Sequence, residues 1–117
     1  DIMSRQRRAM ARTATRTSKT LHLLGAEELA EAAECLKVMA HPARLRIVDI
    51  LLQGEFAVHE ISALCEVPPA QMSEHLRLLQ GRGYLASERR GRTVYYRIAH
   101  RRLPALLACI RKTCRTR

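Results

Sequence analysis

Over 26–40 the apolar positions Leu29, Ala32, Ala33, Leu36 and Ala40 recur every three or four residues, the spacing of one face of a helix. Glu27 and Glu28 stand at its start, where the helix dipole favours acids. His41-Pro42 ends the segment, because proline disfavours helix in the residue before it and pre-sets the first turn of the next. A second helix over 42–53 carries Leu45, Ile47, Val48, Ile50, Leu51 and Leu52, too apolar all round to be anything but central, and Gly54 closes it. A short helix over 58–65 turns Ile61 and Leu64 inward. Glu66-Val67-Pro68-Pro69 supplies a turn, and a helix over 70–80 buries Met72, Leu76 and Leu79. The period then switches to two. Segments 85–89 and 93–98 alternate around Arg90-Gly91, with Val94, Tyr96 and Ile98 on one side and Thr93, Tyr95 and Arg97 on the other. A last helix over 102–113 shows Leu103, Leu106, Leu107 and Ile110 at helical spacing. Helix, tight turn, helix and basic hairpin in this order predict a mainly α fold with a small β-hairpin. This is a winged helix-turn-helix, with one helix for the DNA major groove and a charged finger for the backbone or minor groove. The first and last helices carry apolar stripes with no third partner in so short a chain, which predicts a twofold dimer through those two helices.

Charge sharpens this picture. The 117 residues allow one domain; with no Trp and one Phe, its core is aliphatic. The formal net charge of +10 favours a polyanionic partner, although a basic tail alone raises net charge too. The distribution is more telling. Residues 1–20 hold six Lys or Arg against Asp1, residues 21–76 hold three against nine acids, and residues 77–117 hold twelve against Glu88 alone. A chain that needed only solubility would intersperse its charges. Residues 1–25 are expected to be a disordered basic arm that touches phosphates, and 26–117 the DNA-binding and dimerisation domain. The arm is Arg-, Thr- and Ser-rich like a transit peptide but lacks an apolar face. Four cysteines, no signal peptide and no apolar run of membrane length predict a cytoplasmic protein without a membrane partner. No nucleophile is paired with a base and an orienting acid, and there is no Gly-rich phosphate loop, so an enzyme is not expected.

Cys35-Leu-Lys-Val-Met-Ala-His-Pro-Ala-Arg-Leu-Arg-Ile-Val48, Val58-His-Glu-Ile-Ser-Ala-Leu-Cys-Glu-Val67, Ser73-Glu-His-Leu-Arg-Leu-Leu-Gln-Gly-Arg-Gly-Tyr-Leu85 and Arg89-Arg-Gly-Arg-Thr-Val-Tyr-Tyr-Arg-Ile98 together resemble the ArsR/SmtB family of bacterial winged-helix repressors. The resemblance implies a homodimer on an inverted-repeat operator in double-stranded DNA, released when a metal ion, arsenical, reactive sulfur species or oxidant acts on it. It also implies that Ser73 and His75 touch DNA. Gln71 and Arg77 flank them; Gln suits adenine and Arg suits guanine or a phosphate. Departures from the family pattern are equally informative. Small hydroxyl or amide residues common at the entry to the recognition helix are replaced by Pro68, Pro69, Ala70 and Gln71. Glu74 takes a place where a basic residue or Gln is frequent. An acid repels phosphates but can accept from a cytosine amino group, so an unusual operator is expected. Arg89, Arg90 and Arg92 in the wing are candidates for phosphate or minor-groove contact, with Gly91 permitting the turn. Of Tyr95 and Tyr96, at least one is expected to fill the core rather than stack on bases. The alternatives are a winged-helix module that docks to protein or RNA without reading an operator, and a repressor of the ArsR type with a different metal or no inducer.

The inducer is unknown from the sequence. The family's thiolate site at the start of the short helix has Ala57 and His59 in place of its two cysteines. The family's site on the last helix has His100, Arg102, Thr113 and Thr116, which offer zinc one imidazole, a cation and two weak hydroxyls instead of four ligands. Neither site is expected to function, and no cofactor is required. Cys35 and Cys109 lie on the flanks of the first and last apolar stripes, and Cys114 lies on the last stripe itself. They are the candidate sensing residues, either for a redox or persulfide switch or for a thiolate-bound metalloid or metal ion. Lys37, Arg111, Lys112 and Arg115 nearby favour thiolate. The plainer reading of each cysteine is a small buried hydrophobe, and Cys65 is read that way. His22, His41 and His59 are read as structural rather than as ligands.

Overall fold

Proline, aliphatic spacing and one left-handed turn divide the described residues into five helices and three short strands. The structure is a computed structural model that describes residues 20–114. Most of the expected arm lies outside the described residues; 20–25 carry no helix or strand. The elements are α1 Ala26–Met39, α2 Pro42–Leu51, β1 Phe56–Ala57, α3 Val58–Cys65, α4 Pro69–Gly81, β2 Leu85–Arg90, β3 Thr93–Ile98 and α5 Arg102–Cys114.

The chain divides into two units between Ala33 and Glu34, within α1. In the first unit Glu28 Oε1 accepts from the Gly25 N–H at 2.8 Å and satisfies an amide at the helix start. Leu21, Leu23, Leu24 and Leu29 are exposed.

In the second unit α1 turns Cys35, Val38 and Met39 into the core and leaves Leu36 56% exposed. The expected stripe through Leu29 and Leu36 is therefore not the face that α1 buries; the buried face is rotated around the helix toward Cys35 and Met39. At the α1–α2 junction His41 caps α2, its Nδ1 accepting from the Ala43 N–H at 3.1 Å, while Arg44 Nη1 donates to the Val38 carbonyl at 3.0 Å. Ile47, Val48 and Leu51 make α2 the central helix, as its pattern predicts. It ends at Leu51, with Leu52 as cap, two residues before the expected end.

Residues Phe56 and Ala57 form a strand not anticipated from the sequence, because two residues show no alternation. They pair with Tyr96 and Tyr95, so β3 is the middle strand of an antiparallel sheet ordered β1-β3-β2. In α3, Ile61 and Ser62 are buried, whereas Leu64, expected to face inward, is 57% exposed. Ser62 holds the inner place because its hydroxyl donates to the Val67 carbonyl at 3.0 Å and closes the turn. Glu60 Oε1 accepts from the Ala57 N–H at 2.8 Å, half of a capping box. The turn passes through Glu66, whose φ of 56° and ψ of 42° place a residue with a side chain in the left-handed region.

Candidate nucleic-acid interface

Helix α4 begins at Pro69, where a missing N–H is harmless, and Pro68 precedes it in extended conformation. Met72, Leu76 and Leu79 are fully buried, which fixes the helix about its own axis. Its remaining surface carries the residues that sequence reasoning singled out. Gln71, Glu74 and Arg77 are exposed, while Ser73 and His75 are half-buried. His75 is not a bare surface residue, because its ring meets that of His41 edge-on, with centroids 4.8 Å apart. Burial first, then the charges of His41 and Arg44, push the His75 pKa below 6.5; Glu74 pulls the other way.

The wing is the β2–β3 hairpin, registered from Leu85 opposite Ile98 to Arg90 opposite Thr93. Gly91 turns it at a φ of 67°, which the absence of a Cβ permits. Tyr96 and Ile98 pack against the core, as expected for at least one tyrosine. Tyr95 instead lies under the Arg90 guanidinium, 4.8 Å from the ring centroid. The three wing arginines are not equivalent. Arg90 is held by Glu55 at 2.5 Å and by Glu88 at 2.9 Å, and these bonds raise its pKa. Arg89 and Arg92 are exposed and in no ion pair among the described residues. Arg92 shares an open cleft of about 340 Å³ with His59 and Pro69, so the wing tip lies beside the starts of α3 and α4. The sequence marks His59 only as a structural histidine. Only the unforeseen β1 pairing, which draws the wing to the α3 start, brings it to this face.

The candidate sensing cysteines are dispersed. All four are free thiols: Cys35 is buried, Cys65 half-buried, and Cys109 and Cys114 are exposed. Burial, followed by the neighbouring Cys35, raises the Tyr84 pKa. Burial likewise pushes the Cys65 thiol up, with Arg46 opposing it. Among the described residues no three His, Cys, Asp or Glu side chains gather where they could hold a metal ion, so one protomer offers no site of three thiolates. His100 is a helix cap, its Nδ1 accepting from the Arg102 N–H at 3.1 Å. No helix among the described residues is long and apolar enough to cross a membrane.

A helix held by its inner face behind a tight turn, with a basic hairpin at its side, defines a winged helix-turn-helix DNA-binding domain. Residues 41–87 match the model of the bacterial regulatory protein arsR family. The biofilm growth-associated repressor of Agrobacterium fabrum is 34% identical over 80 residues, covering 68% of each chain. The transcriptional repressor SmtB of Mycobacterium tuberculosis is 39% identical over 77 residues, which are 66% of this chain and 57% of that one. Among solved structures, the homodimeric winged helix-turn-helix DNA-binding domain of Mb0332 from Mycobacterium bovis superposes with a TM-score of 0.66 at 30% identity, covering 83% of this chain and 90% of that one. The chain belongs to the arsR family of bacterial regulators. It is a DNA-binding transcription regulator and not an enzyme.

Proposed function

We propose that the protein is a homodimeric cytoplasmic repressor that grips an inverted-repeat operator and is released when an inducer acts on its thiols. The observation that carries the operator reading is α4, whose inner face is locked by three buried side chains while Gln71, Glu74 and Arg77 stand in solvent, as do the unpaired Arg89 and Arg92 of the wing. Gln71, Ser73, Glu74, His75 and Arg77 enter the major groove, with Glu74 accepting from a cytosine amino group. Arg89 and Arg92 hold phosphates or the minor groove, and Arg90 chiefly braces the wing. Dimerisation is supported by the leucines that α1 leaves in solvent, Leu29 and Leu36. It is also supported by the half-buried Leu106 and Ile110 of α5, and Mb0332 is itself described as homodimeric.

For the inducer, Cys35 acts with Cys109 or Cys114 of either protomer, through oxidation, persulfidation or capture of a thiophilic metalloid. No resident cofactor is needed. The test is a gel-shift and footprint titration on the DNA upstream of the protein's own coding sequence, with sedimentation of the free protein. A two-copy palindromic footprint and a dimer are expected. A monomer, or indifference to that DNA in dilute salt, overturns the reading in favour of a protein- or RNA-docking module. Cys35→Ser and Cys109→Ser proteins hold the operator but ignore oxidant, persulfide and arsenite; unchanged release of both removes the thiol switch.

A further inference from the structure

His41 and His75 come from different elements and meet ring to ring, 4.8 Å between centroids and 61° between planes. His41 is fixed by its capping bond, since Nδ1 accepts from the Ala43 N–H and so leaves any proton to Nε2. Arg44 follows on the next turn, tied to the Val38 carbonyl, and has no carboxylate partner among the described residues. The charged groups that bear on His75 are therefore His41 and Arg44 from the start of α2 and Glu74 from α4 itself. Two of these three disfavour a proton on His75, and burial disfavours it more, so the free protein resists protonation of this imidazole. The cluster is short of negative charge, and a DNA phosphate is a negative charge delivered to the recognition helix from outside.

We propose that His75, backed by His41 and Arg44, is a proton-dependent phosphate site, in which His75 takes up a proton from solvent as the duplex docks and the imidazolium holds a backbone phosphodiester. His41 is a positioning residue that sets the orientation of the His75 ring. The proposal rests on the DNA-binding reading above but on no operator sequence, because a phosphate contact is sequence-independent. Its sign follows from linkage. The bound state carries more protons than the free state between the lowered free pKa and the raised bound pKa, so affinity rises as pH falls through that window.

The probe is a fluorescently labelled mixed-sequence duplex of about three helical turns, titrated by anisotropy from about pH 8 to about pH 6 at constant ionic strength. The wild-type affinity is expected to rise by up to about tenfold per pH unit for each His75 engaged. A His75→Gln protein is expected to bind more weakly than wild type and to lose most of the rise. His41→Asn keeps a capping acceptor while removing the ring that orients His75, so a shallower rise than wild type is expected. Calorimetry of wild type in two buffers of unequal ionisation heat reads the proton uptake directly and needs no variant. A flat wild-type curve, no proton uptake, or a His75→Gln protein with the wild-type slope overturns the proposal and leaves DNA binding standing. Wild type that binds no duplex at any pH removes the underlying reading and this proposal together.

Discussion

Cys35 of α1 and Tyr84, the residue just before the wing strand β2, share one buried core cluster. Both are buried, at 5% and 6% exposure. Tyr84 is also edge-on to His100, the cap of α5, at 5.4 Å. A bulky alkylating reagent therefore reaches Cys35 only as the structure opens. Differential alkylation read by mass spectrometry is expected to find Cys35 protected in buffer and fully labelled in urea. Equal labelling in both would contradict the packing described above.

The wing arginines separate into two kinds. Arg89→Ala and Arg92→Ala are each expected to reduce the salt slope of duplex binding by about one per site engaged, without lowering the melting temperature. Arg90→Ala strips Glu55, Glu88 and Tyr95 of their common partner and is expected to lower the melting temperature as well. Thermal melts beside a salt titration decide it; three indistinguishable variants would refute the division.

Glu66 occupies left-handed backbone that a side chain disfavours by about 1–2 kcal/mol. Its replacement by glycine in the turn is expected to stabilise the fold by up to about 1 kcal/mol, since glycine recovers part of that cost and loses part of it to chain entropy. The urea midpoint reports the change, and a downward shift would show that the Glu66 side chain has a compensating role.

Leu76 and Gln71 lie on opposite sides of the same helix, one fully buried and one exposed. Leu76→Ala is expected to cost about 2–5 kcal/mol of stability, and Gln71→Ala less than about 0.5 kcal/mol while weakening operator binding. Urea melts of both proteins and a gel shift of the second check this.

The lowered pKa of His75 has a consequence for the free protein opposite in sign to that for DNA binding. Its stabilising share is complete above the unfolded value of 6.5 and is lost as pH falls through the lowered folded value, because the unfolded chain binds the proton more tightly. Melting temperatures across this range are expected to fall on acidification, and less so for His75→Gln. An equal fall in both would assign the loss to other groups.

Long elements were legible in the sequence because their period repeats. Met72, Leu76 and Leu79 are buried as their spacing requires, and so are Ile47, Val48 and Leu51. Short or tertiary features were not legible. Two residues of β1 have no period to detect, and Leu64 lost its inner place to Ser62, whose partner is a turn carbonyl that no propensity encodes. Leu29 and Leu36 form a regular stripe, yet regularity does not say whether the covering surface belongs to the same chain. At the interface, residue types pointed to the arginines, but only the fold distinguishes Arg90 from Arg89 and Arg92. The His41–His75 contact spans two helices, and only Pro42 marked the first of these residues as special.

Because β3 is gripped on one edge by β2 and on the other by Phe56 and Ala57, the finger is bolted to the root of α3 rather than hung from its own bend. Such a prong is expected to travel with the helices behind it, so that any loosening of the protein from DNA tilts the head as one jaw.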